Sequence, residues 1–225
     1  MKSAITTRRF RKSNQDGFAL VISMLIMLVL TIIGIAANRD TSTELLIAGN
    51  DRTHKQTFFE ADGATELAAE VLEQNIACLD FVANGEGSVT LPVATNVPAN
   101  SIALDGIVGI SGNALQLWQN GIGTWTSITN PYPKDNARDM WFPVHYAADS
   151  PHTNMTVEGT TELNVGGSVV FGAGYLGLGR SIAGGGAKLQ YEIFSQRIGP
   201  NNSESIIRVE WRHIVGMEDP HCRYN

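Results

Sequence analysis

The residues with chemistry to offer in this chain are five histidines, two cysteines and a scatter of loop carboxylates. His54, His145, His152, His213 and His221 form no HxxxH or HExxH pair, so the helical spacing that seats zinc on two imidazoles is missing. Ser111, in Gly109-Ile110-Ser111-Gly112, lacks the second spaced glycine that lets a nucleophilic serine sit on a sharp strand-to-helix turn. Gly172-Ala173-Gly174-Tyr175-Leu176-Gly177 matches GxGxxG formally. That motif holds a pyrophosphate only where it closes a strand and opens a helix, and here it runs into LGLGRSIAGGG, which opens no stable helix. Asp149, Glu218 and Asp219 lie near loop histidines. If they gathered round an ion, calcium would be the best fit, since the ligands would be oxygens, but loop carboxylates are usually only solvated. Cys78 and Cys222 belong to no CxxC pair. The expectation is a chain with no catalytic residue, no cofactor and no metal centre.

The element that would position anything else is the run Phe18 to Ala37, FALVISMLIMLVLTIIGIAA. It carries no charge and, at 1.5 Å per residue, is long enough to cross a hydrocarbon core of roughly 30 Å. Lys2, Arg8, Arg9, Arg11 and Lys12 precede it, a basic block that the positive-inside tendency holds in the cytoplasm. A secretory signal has a shorter apolar core and a small-residue cleavage site on its far side. Here helical periodicity continues past Ala36 and Ala37.

Gly17-Phe18, preceded by a short basic leader and followed at once by the apolar run, resembles the processing site of type IV prepilins. The resemblance implies cleavage by a prepilin peptidase between Gly17 and Phe18 and methylation of the new N-terminus. Most such proteins carry a glutamate four residues beyond the phenylalanine; this chain has Ile22. That departure, with Ala48-Gly49-Asn50 and Phe58-Phe59-Glu60-Ala61 in the expected places, is similar to the PilX-type minor pilins and is shared by the tip pseudopilin of type II secretion. What the resemblance implies is a pilin-like α+β fold, a long N-terminal helix packed on a C-terminal antiparallel sheet, in a protein that helps initiate and assemble type IV pili from a tip or priming complex. It implies as partners the prepilin peptidase, other minor and major pilins through the N-terminal helix, and the inner membrane before assembly. The chain would cross that membrane once, with its C-terminal domain in the periplasm and later on the fibre at the cell surface. A type II secretion pseudopilin and a membrane-anchored protein of another role are the alternatives. Gly34, within the apolar run, is a close-packing or bending position in a region that loosens during assembly in pilin-like fibres.

The boundaries that follow are a leader over 1–17, a membrane and assembly helix over 18–37, its amphipathic continuation over 38–78 and a β-rich domain over 79–225. Loss of the leader leaves 11 basic against 21 acidic residues, a poor ligand for nucleic acid. Outside the inner membrane Cys78 and Cys222 enter an oxidising compartment. They would there form a disulfide, the other possibility being two thiols with one buried in the helix face.

Along 38–78, Leu45, Leu46, Ala48, Phe58, Ala61, Ala64, Thr65, Ala68, Val71, Leu72 and Ile76 recur at three- and four-residue steps. Glu44, Asp51, Glu60, Asp62, Glu66, Glu70 and Glu73 largely take the other side, and Gly49 and Gly63 are the expected bends. Trp118, Trp125, Tyr132, Trp141, Phe142 and Tyr146, spaced by prolines, read as core and turn plugs rather than a ligand-stacking surface. Lys188 to Arg197 and Ile207 to Val215 alternate apolar and polar residues around Gly199-Pro200-Asn201-Asn202, which predicts an antiparallel hairpin with one solvated face. On this reading His213 lies on the apolar face of a strand, while His145, His152 and His221 sit in loops.

Overall fold

The computed structural model describes residues 16–120, 133–135, 137–147, 149–163, 187–214 and 221–224. The GxGxxG segment, Trp125, Tyr132, Val215, Glu218, Asp219 and most of the leader lie outside the described residues. The chain divides into two compact units, residues 1–50 and 51–225. Helix α1 (Asp16–Cys78) contributes to both and is unbroken at Gly34, Gly49 and Gly63. In the first unit the described side chains from Gly17 to Asn50 are all exposed.

The second unit is an α+β layer. Seven strands follow in chain order across one antiparallel sheet: β1 (Ser88–Thr90), β2 (Ile102–Leu104), β3 (Val108–Ile110), β4 (Met140–Phe142), β5 (His152–Leu163), β6 (Ala187–Ile198) and β7 (Glu204–Ile214). Ala64, Ala68, Val71 and Leu72 of the helix bury against Ile102, Leu104, Val108, Ile110, Met140, Met155, Val157, Tyr191 and Ile193. The helical step of three to four meets the strand step of two, so one stripe of small side chains lets the helix sit close on the sheet. Ala103 and Trp141, between those strand residues, point the other way and make a smaller core with Leu91, Val97 and Val144. Gly109 is paired opposite Trp141, and a β-carbon there would lie 2.1 Å from the indole. Glycine at that position is what admits the ring.

Burial along α1 begins at Thr57. Phe58, read from periodicity as part of the packed face, is 43 % exposed, and Leu45, Leu46 and Ala48 are exposed too. The expected hairpin is β6 and β7, with Tyr191 opposite Trp211 and Ile193 opposite Val209. His152 is not in a loop, as expected from its neighbours, but opens β5 and is buried. Strand β5 shows no simple alternation in the sequence because its second face is polar yet covered: Asn154, Thr156 and Glu158 are buried as fully as Met155 and Val157.

The helix ends on two backbone bonds. Leu79 N–H reaches the Ile76 carbonyl at 3.2 Å and Asp80 N–H the Asn75 carbonyl at 3.3 Å, with Leu79 at φ 56°. This is the Schellman pattern, in which the left-handed position is normally glycine. A leucine there pays a steric cost of about 1 kcal/mol, and its side chain, 71 % exposed, recovers little by packing. Leu79→Gly is expected to raise the stability to urea unfolding by about 1 kcal/mol; a loss of stability would show that Leu79 is held by contacts rather than by the cap.

Candidate functional site

The first unit contains the residues singled out for processing and assembly. Gly17 lies in the first turn of α1, next to the helix start at Asp16, with open space around it. Phe18 is 67 % and Ile22 41 % exposed, and a β-carbon on Gly34 would touch nothing. Ser23 and Thr31 turn their hydroxyls back to the Leu20 and Leu28 carbonyls, each at 2.8 Å and three residues back. The polar side chains inside the apolar run therefore satisfy themselves and present no group outward that needs a partner. This is the one helix among the described residues long and apolar enough to cross a membrane. An uncharged surface of this size in water is unfavourable, so its natural neighbours are lipid or other apolar helices.

Among the described residues of the second unit, three of the polar networks that tie it together could not have been located from sequence periodicity. In the first, Arg138 is fully enclosed. Its guanidinium donates to Asn154 Oδ1 at 2.6 Å, to the Tyr146 hydroxyl and to the Asn96 carbonyl, and lies 4.3 Å over the Trp141 ring. Asp135, 3.5 Å from Arg138, also bonds His152 Nε2 at 2.9 Å and accepts from Asn154 Nδ2 at 2.9 Å, while His152 stacks on Tyr146. Burial pushes the Asp135 carboxyl up, but the Asn154 amide, the His152 ring and the Arg138 guanidinium outweigh it and hold the group below the usual carboxylate range.

In the second, Glu73 of α1, expected on the solvated side, accepts from Trp211 Nε1 at 2.7 Å and meets His213 Nδ1 at 2.6 Å. Both partners lie on β7, so a charged helix residue pins the last strand. Glu60 does the same for β6 through Arg197 Nε at 2.7 Å. In the third, Asp139 Oδ2 accepts from the Val157 N–H at 2.9 Å and from Asn120 Nδ2 at 3.3 Å. Burial, reinforced by the charge of Glu158, raises its pKa to about 6 against the opposing pull of the Val157 and Asn120 bonds. A carboxyl with a raised folded-state pKa binds its proton more tightly folded than unfolded. The contribution of this group to stability is therefore greatest at acid pH and declines as pH rises from about 4 through about 6. Asp139→Asn is expected to be level with wild type near pH 4 and to gain on it by up to about 2 kcal/mol by pH 7. Urea unfolding at four pH values across that range checks this; a difference that stays constant with pH would reject it.

Cys78, the last residue of α1, is bonded to Cys222, and the two Cα atoms stand 4.7 Å apart. The tail beyond it is docked: Tyr224 donates its hydroxyl to Asp105 at 2.8 Å and meets Phe81 edge-on. Of the aromatics read as plugs, Trp141 is fully buried and Trp118 and Tyr146 partly so, whereas Phe142 is 38 % exposed. Among the described residues no three His, Cys, Asp or Glu side chains converge as metal ligands, and Asp149 stands apart from such a group.

No curated protein and no solved structure matches the chain. A family match does exist for its N-terminal part, over residues 16–66, to the family described as PilX N-terminal. The matched stretch begins one residue before Gly17, takes in the whole uncharged run with Ile22, and ends on the part of α1 that packs on the sheet. A long apolar N-terminal helix continuing into an α+β domain is a pilin-like arrangement, and residues 16–66 of this chain are similar to the family described as PilX N-terminal.

Proposed function

We propose that this protein is a minor pilin that helps initiate and assemble type IV pili, from a tip or priming complex, after a prepilin peptidase cuts between Gly17 and Phe18. The observation that carries the reading is the exposed apolar run Phe18 to Ala37 with isoleucine, not glutamate, at position 22, inside the region of the family match. The leader keeps the N-terminus in the cytoplasm, and the cut leaves a helix whose charge begins only at its new amine. That helix leaves lipid for a bundle of other pilin helices, exchanging one apolar environment for another. A neutral Ile22 puts no carboxylate into the bundle and so needs no neighbouring amine to pair with it. This favours a place in the assembly where the usual charge pairing is not required, at the start or tip of the fibre. The role is structural, with no substrate turned over, and the other subunits, the peptidase and the inner membrane are its partners.

Intact-mass spectrometry of the membrane-extracted protein, expressed with and without a prepilin peptidase, tests the reading. The expected result is loss of residues 1–17 and gain of one methyl on Phe18 only when the peptidase is present. A chain that stays uncut, or is cut after Ala37, would remove the protein from the pilin pathway.

A further inference from the structure

Strand β7 is the last of the sheet and, at 11 residues, far longer than β1 at the other end, which has three. Among the described residues it pairs with β6 alone. The bond from Gly199 N–H to the Ser203 carbonyl at 2.7 Å starts the ladder of the hairpin. Continued in the observed register, it assigns the β6-facing backbone groups to Ser205, Ile207, Val209, Trp211 and His213. Glu204, Ile206, Arg208, Glu210, Arg212 and Ile214 then point their N–H and C=O groups away from the sheet. All but Ile206 are exposed, and the strand contains no proline, lysine or glycine of the kind that blunts edges.

We propose that this edge is a self-pairing surface, to which β7 of a second copy adds antiparallel with Val209 opposite Val209. Three features of the strand select that partner and that register. It alone uses the whole length from Glu204 to Ile214. It places Arg208 of each copy opposite Glu210 of the other, so that two opposite-charge pairs form about the two-fold axis. Shifting the axis to Arg208 sets arginine against arginine; shifting it to Glu210 sets glutamate against glutamate and Arg208 against Arg212. On the opposite, half-buried face, the chosen register aligns Ile207 with Trp211 and Val209 with itself, joining two apolar surfaces. Arg208, which already pairs with Glu192 of its own β6, would be shared between two carboxylates. The two-fold reverses every direction in the sheet plane, so the contact joins copies of opposite orientation. It does not depend on the pilus reading.

The test is site-directed cross-linking of the full chain in detergent, alongside sedimentation equilibrium. Facing residues of a non-hydrogen-bonded antiparallel pair lie about 4.5 Å apart at Cα, within reach of a disulfide. Val209→Cys is therefore expected to give a covalent dimer under mild oxidation and Ile207→Cys to give none. Arg208→Glu should weaken dimerisation about tenfold, and Arg208→Glu with Glu210→Arg should restore it. A monomer at all concentrations, a dimer indifferent to the charge reversal and its repair, or cross-linking at Ile207 as readily as at Val209 would each overturn the proposal.

Discussion

Replacing Arg138 with methionine is expected to cost the second unit about 3 kcal/mol or more, among the largest losses any single substitution here would produce. The side chain is wholly enclosed, and its guanidinium is the donor on which Asn154 Oδ1, the Tyr146 hydroxyl and the Asn96 carbonyl converge. Methionine fills much of the volume and keeps contact with Trp141, so the loss measures unsatisfied acceptors more than a cavity. The ion pair with Asp135 is the smaller part of the effect, because that carboxylate is 45 % exposed and water can replace the arginine. This ranking makes a second expectation. Arg138→Lys keeps the charge but has no planar fork to reach acceptors in several directions, and should recover less than half of the loss. Denaturant unfolding of the two variants beside wild type decides the matter. A lysine variant equal to wild type would show that charge rather than directed hydrogen bonding holds this region, and a methionine variant within about 1 kcal/mol of wild type would show that neither does.

The Arg138 network also marks where reading the sequence runs out. The apolar run from Phe18, the end of the helix at Cys78 and the β6–β7 hairpin were all legible, because each writes a simple period over ten residues or more. Strand β5 was not, although its Met155 and Val157 obey the strand period. Its other face is Asn154, Thr156 and Glu158, which look solvated in sequence and are buried in the fold, Asn154 under the guanidinium of Arg138, a residue in a loop. Strands β1 to β4, three residues each, are too short to show any period. Glu73 misled for a related reason: helical spacing places it correctly beside the apolar stripe, but only the sheet reveals that Trp211 and His213 stand opposite with donors to offer. The proposed processing site is a different case. Gly17 and Phe18 have no packing role in this chain, and their meaning comes from the segment they introduce.

Removing the bond between Cys78 and Cys222, by changing both to alanine, is expected to be the most costly alteration of all, at about 4 kcal/mol. The bond closes a loop spanning 144 residues, which is almost the whole of the second unit, and it ties the end of the helix to the end of the chain. Its contribution in the chain-entropy description comes from the unfolded state, which loses more freedom the longer the closed loop. That origin separates it from the docking of the tail. Tyr224→Ala removes the hydroxyl bond to Asp105 and the edge contact with Phe81 while leaving the loop closed, and should cost only about 1 kcal/mol. If the constraint acts on the unfolded state, the double alanine variant will also unfold with a steeper dependence on urea, since its denatured chain is free to expand and expose more surface. Reducing the wild-type protein should reproduce both effects without altering a side chain. Equal losses for the tyrosine and cysteine variants, with an unchanged urea dependence, would place the stabilisation in the docked tail and not in the closed loop.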